Sequence, residues 1–142
     1  MNDPLSSVKH NGILGFAIGD NKDAVYSRIT NLGVNAENHD STIFIEDKEI
    51  KGISYIQLDF NTQNILDSIL VFFCDYENTT PQQLIVLLTL KLSQFIGEPS
   101  VYPEDVSQEM YVWHYGDHKI VLSYGTFFDV LDKVCLSFDY EI

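Results

Sequence analysis

The side chains whose types and spacing point most directly to chemistry are His114, Asp117 and His118, grouped around the dipeptide Gly116-Asp117. Imidazoles beside a carboxylate are the material of acid/base catalysis and of metal ligation. Their spacing works against convergence. Gly116-Asp117 reads as a two-residue hairpin turn, so Tyr115 faces His118 and His114 lies one pair further along, its side chain leaving by the opposite face. A structural metal needs three or four convergent ligands, so neither a metal nor another cofactor is expected. His39 with Asp40 reads as a polar loop, and His10 belongs to a mobile N-terminal arm.

Asp75 and Asp139 are a second candidate pair, because each precedes a tyrosine in a strand-like run. Two related carboxylates on one face could form a glycosidase-like dyad. Strand-end aspartates are more simply solvated, and the pattern supplies no pocket for a general acid. Gly12, Gly15 and Gly19 fit neither the dinucleotide nor the nucleoside-triphosphate loop spacing. Cys74 and Cys135 lie in apolar runs, where a thiol behaves as a small buried hydrophobe, and they make no disulfide framework. No enzyme is expected from these residues.

The elements that must position such groups show an internal match. Shifted by 64 residues, the chain lays Gly33 on Gly97, Gly52 on Gly116, Ile56 on Ile120, Leu58 on Leu122 and Asp75-Tyr76 on Asp139-Tyr140. Gly19, Asp20 as cap and Asp23 open a helix over about 21–32, with Val25, Ile29 and Leu32 at helical spacing and Gly33 as its stop. Alternation then predicts strands at 42–46 and 53–60, and the apolar run 66–76 reads as a central strand. Thr80 and Pro81 open a second, longer helix with Leu84, Leu87, Leu88, Leu92, Phe95 and Ile96 as its stripe, ended by Gly97 and Pro99. Strands at 109–115, 118–124 and 133–140 follow.

The expected fold is therefore α+β: a tandem helix-strand-strand-strand repeat, giving a six-stranded, mainly antiparallel sheet with two helices packed on one face. It forms a single domain over 1–142, comprising a flexible arm at 1–12 and units at 13–77 and 78–142. A hydrophobic content of 45% suffices for one core at this length. The second unit carries a longer connection, 98–108, with Glu104 and Asp105.

Placing Ile56, Leu58, Phe60, Leu70, Phe72, Cys74, Leu122, Tyr124, Leu136 and Phe138 toward the helices sends Tyr55, Asp59, Val71, Phe73, Asp75, Val121, Cys135 and Asp139 outward. Tyr111, Trp113 and Tyr115 share a side of their own strand. That side is expected outward as well, unless the faces are reversed and Trp113 is core. Unless the connection 98–108 simply covers it, the result would be an open face mixing aromatics with acids, suited to a basic protein partner.

Net charge supports that class of partner. With 21 acidic against 8 basic residues and Arg28 as the lone arginine, the chain at −13 would repel nucleic acid and anionic lipid. The acids are spread along both halves rather than gathered in a tail. The first twelve residues lack the apolar core of a signal peptide, so a cytoplasmic protein is expected, and a monomer.

The run Gly19, Asp20, Lys22, Asp23, Val25 to Leu32 and Gly33, echoed by Ile96, Gly97, Glu98 and Pro99, resembles the helix and turn of the small outer-membrane assembly lipoprotein modules. Two such units in tandem resemble the β-lactamase inhibitory protein fold. The resemblance implies a sheet whose open face grips a protein. The lipidation cysteine and the inhibitor's disulfide positions are absent, and in character the chain is similar to bacterial toxin immunity proteins. The function expected is neutralisation of a basic toxin domain, for example a nuclease, through Tyr55, Asp59, Phe73, Asp75, Glu104, Asp105, Tyr111, Trp113, Tyr115 and Asp139. The alternative is an acidic secretion chaperone, which an obligate dimer would favour. A small-ligand sensor or enzyme is the third reading.

Overall fold

The computed structural model describes residues 4–46, 50, 52–73, 80–100, 109–127 and 130–140. Asp75, Glu104 and Asp105, with Cys74 and the connection over 101–108, lie outside the described residues. The chain is α+β. A 3-10 turn at Pro4–Ser7 leads to a small hairpin, β1 (Gly12–Ile13) and β2 (Phe16–Ala17). Helix α1 (Lys22–Leu32) follows, then β3 (Ala36–His39), β4 (Thr42–Ile45), β5 (Ile53–Phe60) and β6 (Leu66–Phe73). Helix α2 (Pro81–Ile96) precedes β7 (Glu109–Tyr115), β8 (His118–Phe127) and β9 (Val130–Tyr140).

The main sheet has seven strands rather than six, in the order β3-β4-β5-β6-β9-β8-β7, and every neighbouring pair is antiparallel. The added strand is β3, whose four residues are all exposed. A polar edge strand has no alternation of hydrophobicity to announce it. Its pairing with β4 around Asp40, at φ 54°, creates it from residues that read as a loop.

Local chemistry sets both helices. Asn21, one residue after the expected cap, takes the amide of Ala24 at 2.8 Å, while Asp20 accepts from the amide of Ala17 at 3.1 Å. Gly33 closes α1 in the left-handed conformation, its N–H reaching the carbonyls of Ile29 and Thr30. Thr80 and Gln83 form a reciprocal capping box at the start of α2, with Pro81 in the first turn. α1 fully buries only Val25, whereas α2 buries Leu84, Ile85, Leu88 and Leu92, each worth roughly 1.5–3 kcal/mol.

Both helices lie on one face of the sheet. Val25 of α1 and the four buried side chains of α2 form one cluster with Ile43, Ile45, Ile56, Leu58, Ile69, Val71, Phe73, Trp113, Ile120, Leu122, Leu136 and Phe138. The N-terminal segment joins this core. Leu5, Ile13 and Phe16 are at most 1% exposed, and Val8 and Leu14 are also buried. The residues at 1–12 expected to be a flexible arm thus contain core side chains, because the sheet is wider than two helices cover. Arg28 donates from Nε to the Leu14 carbonyl at 2.6 Å, and a Cβ on Gly15 would come within 2.3 Å of it. The single arginine therefore serves the fold.

Candidate functional site

The face opposite the helices is built from alternate residues of six strands, and the register arranges them in three rows. One row runs Thr42, Asp59, Ser68, Asp139, Lys119, His114. The next runs Phe44, Gln57, Leu70, Ser137, Val121, Val112, and the third Tyr55, Phe72, Cys135, Ser123, Met110. The face is graded from acids and hydroxyls to aromatic and aliphatic groups. Phe72, Val112 and Cys135 are buried on it and are not members of the core cluster.

The polar row is tied internally. Thr42 Oγ1 donates to Asp59 Oδ1 at 2.8 Å, Gln57 Nε2 reaches both Asp59 oxygens at 3.2 Å, and Ser68 Oγ donates to Asp139 Oδ1 at 2.7 Å. Asp67 sits where the β5–β6 register shifts, between the pairs Asp59/Ser68 and Phe60/Leu66. Burial, with the charges of Asp59 and Asp139, raises the Asp67 carboxyl above its ordinary value. Three carboxylates thus share one end of the face.

At the apolar end the rings form a file. His39 meets Phe44 edge-on at 5.5 Å, Phe44 lies 6.5 Å from Tyr55, and Tyr55 stacks on Phe72 at 4.6 Å and 18°. Burial, then the neighbouring Cys135, raises the Tyr55 phenol. The Cys135 thiol is pushed up to about 12 by burial and by Asp139, which makes it a packing group and not a nucleophile.

Of the expected contact residues, Tyr55, Asp59 and Asp139 lie together on this face. Phe73 and Trp113 do not: at 2% and 1% exposure they are core. Phe73 lies inward against expectation because β6 from Ile69 to Phe73 is apolar on both sides, where alternation has no polar side to choose; Val71 also points inward, and Leu70 and Phe72 outward. Tyr111, Trp113 and Tyr115 take the helix side, where Trp113 Nε1–H donates to the Gly97 carbonyl at 2.6 Å and the Tyr115 hydroxyl to the Ile96 carbonyl. These donors satisfy carbonyls at the end of α2, the reason for polar-tipped aromatics there. Phe44, Phe72, Val112 and Met110 take their place on the outer face. The pairing of Tyr55 with Phe72 is the signal that would have found them, and it is a long-range one.

A second constellation lies at the β7–β8 turn. As the hairpin reading requires, Tyr115 pairs with His118, and His114 leaves by the outer face. His118 gains a neighbour from 108 residues away: its Nε2 lies 3.0 Å from His10 Nδ1, and its Nδ1 lies 3.0 Å from Asp117 Oδ1. The His118 bond holds the exposed Asp117 carboxyl below its ordinary value. His10 and His118 stack at 5.2 Å beside Tyr115, and Val8, Lys9, His10, Phe95, Ile96 and Tyr115 line an open groove of ≈ 360 Å³. A carboxylate and two imidazoles in series could pass a proton. Among the described residues, no three His, Cys, Asp or Glu side chains are grouped to hold a metal ion.

No family model matches the chain, and no curated protein matches it. Among solved structures it is similar to a DUF4309 family protein, YjgB, from Bacillus subtilis: 16% identity, TM-score 0.48, 99% of this chain and 92% of that one. A likeness of that degree bears on neither activity nor partner. Among the described residues, no helix is long and apolar enough to cross a membrane.

Proposed function

We propose that this protein is a non-enzymatic binding module that seats a basic protein on the outer face of its sheet. The most concrete form is a cytoplasmic immunity protein that occludes the positive active-site surface of a toxin domain. The observation that carries this reading is the graded outer face, with Asp59, Asp67 and Asp139 at one end and Phe44, Tyr55 and Leu70 beside them, on a chain of net charge −13. Aromatic anchors supply contact area, while the acids steer a cationic surface and reject an anionic one. We also read the chain as two related units. The strand order β4-β5-β6-β9-β8-β7 is what two three-stranded meanders make when joined last strand to last strand, which supports that reading.

Affinity capture from the source cells at low salt tests the proposal, with wild type run beside the combined variant Asp59→Asn, Asp67→Asn, Asp139→Asn. A basic protein retained by wild type and lost with the variant is expected. Absence of any partner, or capture unchanged by the variant, would overturn it.

A further inference from the structure

Helix α2 is apolar beyond what its seat on the sheet uses. Residues two apart on an α-helix lie about 200° apart around its axis. Val86 and Leu90 therefore point away from Leu88 and Leu92, and they are 53% and 62% exposed. With Gln83 and Leu87 they line an open groove of ≈ 440 Å³. Beyond its seat the helix thus carries an apolar strip, Val86, Leu87 and Leu90, bordered by glutamines, and such a strip marks a contact surface. In its sixteen residues α2 carries a single charge, Lys91, and no acid.

Charge selects the neighbour. At −13, the chain repels its own copies wherever acids face one another. The helix itself carries no carboxylate, so two copies can meet along it without setting its own acids against one another, and it offers a basic partner no acid of its own to pair with. We propose that this side is a self-association surface on which two copies pack α2 against α2 about a two-fold axis. Val86, Leu87 and Leu90 form the seam, with the amides of Gln83 and Gln94 at its ends. Residues 83–94 span roughly 17 Å of helix, so the contact falls short of the ~1,200 Å² typical of a stable interface. The dimer therefore dissociates on dilution. Because α2 lies on the inner side of its sheet, the two outer faces of the dimer point in opposite directions, and both stay free.

Sedimentation equilibrium over a concentration series, at low and high sodium chloride, tests this. The expected result is a monomer–dimer equilibrium that tightens severalfold with salt, since screening removes the repulsion between copies. Leu90→Glu and Leu90→Lys are both expected to weaken the dimer at least about tenfold, because either charge must be desolvated in the seam. The exposed position of Leu90 lets both variants keep the wild-type circular dichroism. Met110→Glu, on the outer face of β7, should leave association unchanged. A monomer up to about 0.5 mM, a dimer that salt dissociates, a dimer retained by Leu90→Lys, or one lost in Met110→Glu would each overturn the proposal.

Discussion

The two faces of the seven-stranded sheet are made from the same strands and differ in what covers them. The inner face meets α1, α2 and the N-terminal segment, and its side chains from Ile43 to Phe138 join one core. The outer face buries Phe72, Val112 and Cys135 outside that core, and leaves Tyr55, Asp59 and Asp139 partly accessible. Aromatic residues occur on both. On the inner face their polar tips are bound to the end of α2, whereas on the outer face Tyr55 stacks on a neighbour. An aromatic residue whose polar end is bound to a helix end in this way serves the fold.

The sharpest way to break this contrast is Trp113→Ala, expected to cost about 3–5 kcal/mol in urea unfolding through cavity formation and the lost bond to Gly97. If its cost matched that of Tyr55→Ala, the two faces would not differ in kind. Leu5→Ala should cost about 2–4 kcal/mol, since Leu5 is fully buried; a change below about 0.5 kcal/mol would return the first residues to the role of a loose arm. Tyr55→Ala should cost only about 1 kcal/mol, leaving a folded protein that, under the proposed function, no longer retains the basic protein that wild type captures.

The smallest effect is a gain. Folded Asp67 holds its proton more tightly than the unfolded chain does, so its contribution favours the native state below the ordinary value of 3.8 and is lost as pH rises through the raised one. Asp67→Asn should therefore stabilise the protein at pH 7, by at most about 0.5 kcal/mol because solvent screens a partly exposed carboxyl. The difference from wild type should close below 3.8, which thermal melts across pH would show. A loss of stability at neutral pH would mean that the outer acids are not crowded.

The helices were legible because their signals are local: Thr80, Pro81 and Gln83 act within one turn, and so do Ile29, Thr30 and Gly33. Strand β5 was legible because its outward side carries Gln57 and Asp59 while Ile56 and Leu58 alternate with them. The 64-residue offset lays Ile56 on Ile120 and Leu58 on Leu122, inner on inner, but it lays inward Val71 on outward Cys135. The hairpins close at Phe60/Leu66 and at Phe127/Val130, three residues apart in register under that offset, and an odd difference reverses the phase of β9 against β6, which an ungapped match does not register. Asp139 lies on the outer face, while Asp75, its counterpart in the match, lies outside the described residues.

The amino-acid sequence by itself determined the two helices, the Gly33 stop and the Thr80 cap, the turn at Gly116-Asp117, the alternation of β5 and the charge of −13. Each depends on residues within a few positions of one another, or on composition alone. The tertiary structure decided the inward side of β6 and β7, the pairing of β3, the packing of Leu5 and Val8, the meeting of His10 with His118, and the exposure of Val86 and Leu90. These depend on which distant segment lies alongside. A strand segment apolar on both faces holds no local preference between sides, and its neighbours make the choice.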